Sequence, residues 1–132
     1  MLRRMKRVSS GSPYEKTIGF SRAVRIGNII AVSGTGPIAE GGSTASPGDA
    51  YAQARRCLEI IAKAIKDAGG RLENVFRTRM YITDASDQEK VGRAHGEYFG
   101  EIKPASTMVV VKALVRDDWL VEIEADCYAE GD

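Results

Sequence analysis

Aromatic side chains are scarce in this 132-residue chain, at 7%, and it holds one histidine and two cysteines. Neither sign of charge is in excess: 19 basic residues face 18 acidic ones, for a formal net charge of +1. That balance removes any general electrostatic reason to expect nucleic acid as a partner, and no strand interleaves basic with aromatic residues as an RNA-stacking sheet does. No run approaches the roughly 20 apolar residues of a membrane span, and no apolar signal segment follows the basic start. A cytoplasmic protein with no membrane partner is therefore expected. Cys57 and Cys127 lack metal-ligand spacing and fall at apolar positions, which reads as reduced core thiols. With His95 the lone histidine, no metal site is expected. His95 itself reads first as a packing or surface residue of a helix, with acid–base chemistry as the sharper alternative. There is no serine–histidine–aspartate order and no nucleophile elbow, and "GGSTASPG" lacks the lysine of a phosphate loop.

What is present is ordinary for a globular protein: 43% hydrophobic and 28% charged residues, in a length that suits one domain over 1–132. The start "MLRRMKR" carries four positive charges in seven residues, and residues 1–12 read as a flexible basic tail. "SRAVRIGNIIAVSGTG" reads as two strands joined at Gly27-Asn28. A loop rich in Gly, Ser and Pro follows, from Gly36 to Asp49. Ser46 is then the expected N-cap of a helix with Pro47 in its first turn. Its apolar stripe runs through Ala50, Ala54, Leu58, Ile61, Ile65 and Ala68, and Gly69-Gly70 ends it. A third strand is expected from Val75 to Thr83, with Phe76, Thr78, Met80 and Ile82 on one face and Val75, Arg77, Arg79 and Tyr81 on the other. Ser86 and Glu89 have capping-box spacing and open a second helix that ends near Gly100, with Val91, Ala94, Tyr98 and Phe99 packing. Pro104 precedes a fourth strand, "STMVVVKAL", and "LVEIEADC" is the fifth. The order β-β-α-β-α-β-β makes a two-layer α+β domain. One helical layer covers one sheet face. The other face, with charges and apolar residues such as Val75, is expected to be buried against further subunits.

In "LVEIEADC", Glu122, Glu124 and Asp126 alternate with Val121, Ile123, Ala125 and Cys127, so one strand face carries three carboxylates. Arg77 and Arg79 show the same spacing on the third strand. If the two strands adjoin, cross-strand ion pairs are expected to neutralise Glu124 and Asp126. A carboxylate left out of such a lattice is a candidate general acid or base.

Taken together, "GNIIAVSG", "AYAQARRCLEIIAKAIKDAGG", "NVFRTRMYITD", "KPASTMVVVKAL" and "LVEIEADC" resemble the reactive-intermediate deaminase (Rid, or YjgF) family, long labelled endoribonuclease L-PSP or translation inhibitor. The resemblance runs from about Ile18 to Tyr128 in the family's order and spacing. It implies a chorismate-mutase-like protomer in a homotrimer whose sheets line a central barrel, with three ligand clefts between subunits. It also implies hydrolysis of 2-imino acids, or their enamine tautomers, to 2-keto acids and ammonia, with no cofactor or metal. In the family an arginine binds the substrate carboxylate and a glutamate positions the attacking water. That glutamate corresponds to Glu122, and the serine ending the second strand to Ser33. Four positions depart from the pattern. Ser106 stands where the arginine should follow Pro104-Ala105, Met108 replaces a cysteine, Phe20 a tyrosine and Gly92 a pocket asparagine.

Serine cannot reproduce the bidentate grip of a guanidinium on a carboxylate. Hydrogen bonds to ions contribute roughly 1.5–3 kcal/mol against about 1 for neutral ones, so affinity for a substrate carboxylate is expected to fall roughly ten- to hundredfold. Arg22, two residues after Phe20, is expected either to supply the missing charge from another wall, or to pair with a carboxylate such as Glu122, or to be solvated. The leading expectation is a small-metabolite protein that adds water to a C=N bond or an enamine. Glu122 is its general acid/base, Ser33, Ser106 and Thr107 its polar contacts, Arg22 its anion contact, and Phe20 and Met108 its apolar walls. The alternative is a trimer that binds a small molecule without catalysis. Ribonuclease or translation-inhibitor activity ranks last, because the chain has no histidine pair and no basic groove.

Overall fold

The computed structural model describes residues 5–131. Along the chain lie β1 (Met5–Val8), β2 (Ala23–Ile26), β3 (Ile29–Thr35), α1 (Ala50–Asp67), β4 (Val75–Ile82), α2 (Gln88–Phe99), β5 (Ala105–Val110) and β6 (Val121–Tyr128). The strands form one sheet in the order β1-β2-β3-β6-β4-β5. Every neighbouring pair is antiparallel except β4 with β5, which are parallel and joined through α2. Both helices lie on one sheet face. Ala54, Cys57, Leu58, Ile61 and Ile65 of α1 are fully buried against Ile30, Ile123, Ala125 and Cys127, as the helical periodicity and the strand alternation require. Cys57 and Cys127 are free thiols within this core. Among the described residues no helix is long and apolar enough to cross a membrane.

Several local expectations are corrected. The basic start is not all tail: Met5–Val8 pairs with β2, Val8 is buried, and the Arg22 amide donates to the Val8 carbonyl at 2.8 Å. β1 thereby covers an edge of β2 that would otherwise present unpaired backbone groups. The first four residues of the expected tail lie outside the described residues. At α1, Asp49 rather than Ser46 is the N-cap, accepting from the Ala52 amide at 2.9 Å, while Ser46 sits at φ 45° in the preceding turn. The expected capping box is absent as well. Asp84 accepts from both the amide and the hydroxyl of Ser86, at 2.8 and 2.7 Å, and folds Ser86 into a short turn ahead of α2. In both places an ionised carboxylate, the stronger acceptor, makes the side-chain cap and the serine makes none.

β4 carries a bulge between Val75 and Arg77. The extra residue turns Val75 into the core beside Cys127 and leaves Phe76 exposed, which reverses both expected placements. β5 ends at Val110 rather than running to Leu114, although the Val111 amide still reaches the Ile82 carbonyl at 2.8 Å. The uncovered sheet face does hold apolar residues, but not Val75. Met5, Ile26, Ile29 and Tyr128 are register partners in turn across β1, β2, β3 and β6, and all four are exposed. On the covered side, the buried Arg25 guanidinium donates to three carbonyls, those of Gly27 (3.0 Å), Ala68 (3.1 Å) and Gly131 (2.8 Å). The Ala68 contact places its charge at the carbonyl end of α1. Gly69, at φ +87°, follows, and a Cβ there would crowd the Arg25 guanidinium.

Candidate active site

β6 adjoins β4, so the cross-strand pairing expected for the carboxylate row can be tested directly. Arg79 lies 3.3 Å from Glu124 and 3.4 Å from Asp126, and the Tyr81 hydroxyl donates to Glu124 at 2.9 Å. Arg77, although it is the register partner of Asp126, is exposed and takes no part. Glu122 is left over. Among the described residues nothing hydrogen-bonds or ion-pairs with its carboxylate.

A second bulge, between Val32 and Thr35 of β3, shapes its surroundings. It turns Thr35 into the core and lays Gly34 against Glu122 so closely that a Cβ on Gly34 would collide with the carboxylate. Only glycine permits that approach. The carboxylate opens into a hollow of about 560 Å³ bordered by Gly34, Tyr81, Val111, Leu114 and Val115. Burial pushes the Glu122 pKa up, the Arg22 charge opposes that rise, and Glu124 adds to it. A half-buried carboxyl with free lone pairs and a raised pKa can both take and return a proton above the ordinary carboxylate range.

Arg22 is buried beneath this site rather than solvated. Its Nη1 donates to the Gly34 carbonyl (2.7 Å) and to Thr35 Oγ1 (3.0 Å), and its Nε lies 3.6 Å from Glu15 Oε2. The Phe20 ring stacks on it, 5.3 Å from Cζ to centroid. Its ion partner is thus Glu15, not Glu122, although its field reaches Glu122. Glu15 is held in turn by the hydroxyl and the amide of Ser10, at 2.6 and 3.1 Å. Burial lowers the Arg22 pKa and Glu15 raises it again. Glu15 and Ser10 were not legible as site residues, because no periodicity links an irregular N-terminal segment to β2. Ser33 donates its hydroxyl to the Ser21 carbonyl at 2.6 Å and ties β3 to the segment before β2.

The remaining candidates lie elsewhere. β5 pairs in register with β4, which puts Thr107 on the open face beside Arg79, and Ser106 and Met108 on the helix side beside Thr78 and Met80. The Thr78 hydroxyl donates to Ser106 Oγ at 2.8 Å, and His95 Nε2 lies 2.8 Å from the same Thr78 oxygen. Met108 and Gly92 border a second hollow, of about 910 Å³, together with Gln88, Glu89 and Arg93. The candidate residues therefore fall into two separate groups within the chain. Glu122, Gly34, Ser33, Arg22 and Phe20 gather around β3 and β6. Ser106, Met108, Gly92 and His95 gather at the β5 edge under α2, with β4 between the groups. Within one chain they are not brought together. The link from Ser106 to Thr78 and His95 depends on the β4–β5 register, which sequence spacing alone does not reveal.

Comparison with known proteins gives a consistent result. Residues 12–129 match the family model described as Endoribonuclease L-PSP. The chain is 38% identical over 101 residues to the 3-aminoacrylate deaminase RutC of Acinetobacter baylyi, covering 76% of this chain and 79% of that protein. It is 38% identical over 116 residues to a RutC family protein of Pyrococcus abyssi, covering 87% and 91%. Among solved structures, a member of the YjgF/YER057c/UK114 family from Mycobacterium tuberculosis shares 44% identity at a TM-score of 0.86, covering 96% of this chain and 100% of that one. The YjgF gene product of E. coli shares 29% identity at a TM-score of 0.81, covering 93% and 98%.

Proposed function

This chain belongs to the endoribonuclease L-PSP (Rid/YjgF) family, and from that premise we propose that it hydrolyses imine or enamine intermediates of small metabolites in clefts between the subunits of a homotrimer. The observation that carries the reading is Glu122, a half-buried carboxylate with a raised pKa that faces an open hollow while its strand neighbours are spent on Arg79. In the reaction, Glu122 takes a proton from water as the oxygen adds to the carbon of the protonated imine, giving a neutral carbinolamine. It then returns that proton to the carbinolamine nitrogen. The C–N bond breaks as C=O forms, Glu122 takes the hydroxyl proton, and the ammonia that leaves carries that proton away as ammonium. An enamine first takes a proton at its β-carbon to become the iminium, and the same steps follow. The deaminase named among the relatives supports this class of chemistry.

Assembly is supported by two features. The exposed apolar row across β1, β2, β3 and β6 needs a cover. The two groups of candidate residues are half-sites that lie apart in one chain, and a neighbouring copy that sets its β5 edge against the Glu122 hollow completes the cleft.

The test is release of ammonia and keto product from imines generated by an amino-acid oxidase. Glu122→Gln is expected to lower turnover about a hundredfold or more in a protein that still folds and assembles. Undiminished turnover in that variant would remove Glu122 from the chemistry. A second reading, binding without catalysis, is favoured by Ser106 in the arginine's place and by the commitment of Arg22 to Gly34, Thr35 and Glu15. It predicts saturable keto-acid binding by the wild-type protein with no acceleration of imine loss.

A further inference from the structure

The bulge in β3 leaves Ser33 and Gly34 without register partners on β6, and Arg22 holds this stretch from the other side. The Arg22 carbonyl accepts from the Ser33 amide at 2.9 Å, and its Nη1 donates to the Gly34 carbonyl at 2.7 Å and to Thr35 Oγ1 at 3.0 Å. Thr35 in turn donates to the Ser33 carbonyl at 2.8 Å. Three successive residues are thus tied to one arginine, and the middle one is laid against the Glu122 carboxylate. Arg22 does not border the Glu122 hollow and is only 4% exposed, so it acts on the site through Gly34 and through its charge. Its Nε has no hydrogen-bond partner among the described residues, and Glu15 Oε2 stands 3.6 Å away. Glu15 therefore balances the buried charge without drawing the guanidinium off Gly34. Burial opposes the ionised form of Glu15, but the Ser10 hydroxyl and amide, helped by the Arg22 charge, outweigh it and hold the Glu15 pKa below its ordinary value.

We propose that Arg22 is a positioning residue for Glu122: it pins the bulge so that Gly34 fixes the carboxylate, and it keeps behind that carboxylate a positive charge whose strength Glu15 sets. Glu122 does the chemistry, and Arg22 never touches the substrate. This inference rests on the acid–base role of Glu122 given under the proposed function. The titratable groups that face Glu122 are Arg22 from β2, Tyr81 from β4, Cys57 from α1 and Glu124 on its own strand. The wall from Val111 to Val115 places no charged side chain on the hollow. Glu124 is paired with Arg79, and burial pushes Tyr81 and Cys57 up, so both stay protonated where Glu122 titrates. Among the described residues Arg22 is then the cation whose field draws the Glu122 pKa down. Removing Arg22 raises the proton affinity of Glu122, whereas removing Glu15, which offsets Arg22, lowers it.

The test follows the Glu122 carboxyl by carbon-13 NMR across a pH titration of the full-length protein, with Glu122→Gln assigning the signal, and needs no turnover. Arg22→Met is expected to move the Glu122 midpoint up and Glu15→Gln to move it down. Opposite shifts from the two members of one buried pair are a signature that general loosening of the fold does not produce. Arg22→Lys keeps the charge but not the planar fork, so it is expected to leave the midpoint near the wild type while lowering kcat about tenfold or more at little change in KM. The double variant Glu15→Gln/Arg22→Met leaves no unpaired buried ion and stays informative where a single variant does not fold; its midpoint is expected to rise. An unmoved midpoint in Arg22→Met or in the double variant, or shifts of the same sign in Arg22→Met and Glu15→Gln, overturns the proposal. The expected shifts in a protein that hydrolyses no imine support the positioning role and defeat the hydrolytic reading. Turnover that needs Glu122 but ignores every change at Arg22 does the reverse.

Discussion

At the scale of single residues, three carboxylates with identical spacing end in two different states because of what faces them. Glu124 and Asp126 meet Arg79, whereas Glu122 meets a glycine and a hollow. Alternation along β6 made the row legible, but it could not rank the three members. The ranking depends on the Gly34 bulge and on Arg79 standing alone across the strand. An acid whose pKa is higher in the folded than in the unfolded chain binds more protons when native, so its ionisation costs stability as pH rises through that interval. Glu122→Gln removes this cost. The variant is expected to match or trail the wild type near pH 4, about the unfolded glutamate value, and to gain on it steadily as pH climbs. Thermal melting across that range reads the gap, and a constant difference would mean that the burial of Glu122 is relieved in solution.

Among the elements, those with long periodic patterns were the most readable. The stripe of α1 and the alternation of β6 are each dictated by one buried face, and both appear where periodicity placed them. What escaped were devices one residue long. The bulge at Phe76 inverts two residues of β4 without changing composition. The caps at Asp49 and Asp84 were masked by nearby serines with acceptable spacing. β1 was hidden by its own charges, since four basic residues in seven look like a solvated tail until one inward valine and a free strand edge are supplied. A chain lacking residues 1–8 loses the burial of Val8 and the bond from the Arg22 amide to its carbonyl. It is expected to be less stable by about 2 kcal/mol in urea denaturation, and an unchanged midpoint would show that β1 adds nothing to the fold.

For the molecule as a whole, the two sheet faces pose different problems. One is closed by α1 and α2. The other exposes an apolar row, Met5, Ile26, Ile29 and Tyr128, beside the Arg79 ion pairs, a mixture suited to a subunit interface with a hydrophobic centre and paired charges. Ile29→Lys places an ammonium in the middle of that row. If the proposed trimer forms through this face, the variant is expected to elute as a monomer in light-scattering chromatography and to lose ligand affinity at both half-sites together. A trimer that survives the change would place the interface elsewhere. The covered face has a different kind of closure, centred on Arg25. One guanidinium holds the β2–β3 turn, the last carbonyls of α1 and the C-terminal segment at Gly131. Three stretches remote in sequence thus share a single fastening: when the side chain lets go, turn, helix end and C-terminal segment lose a common support in the same event.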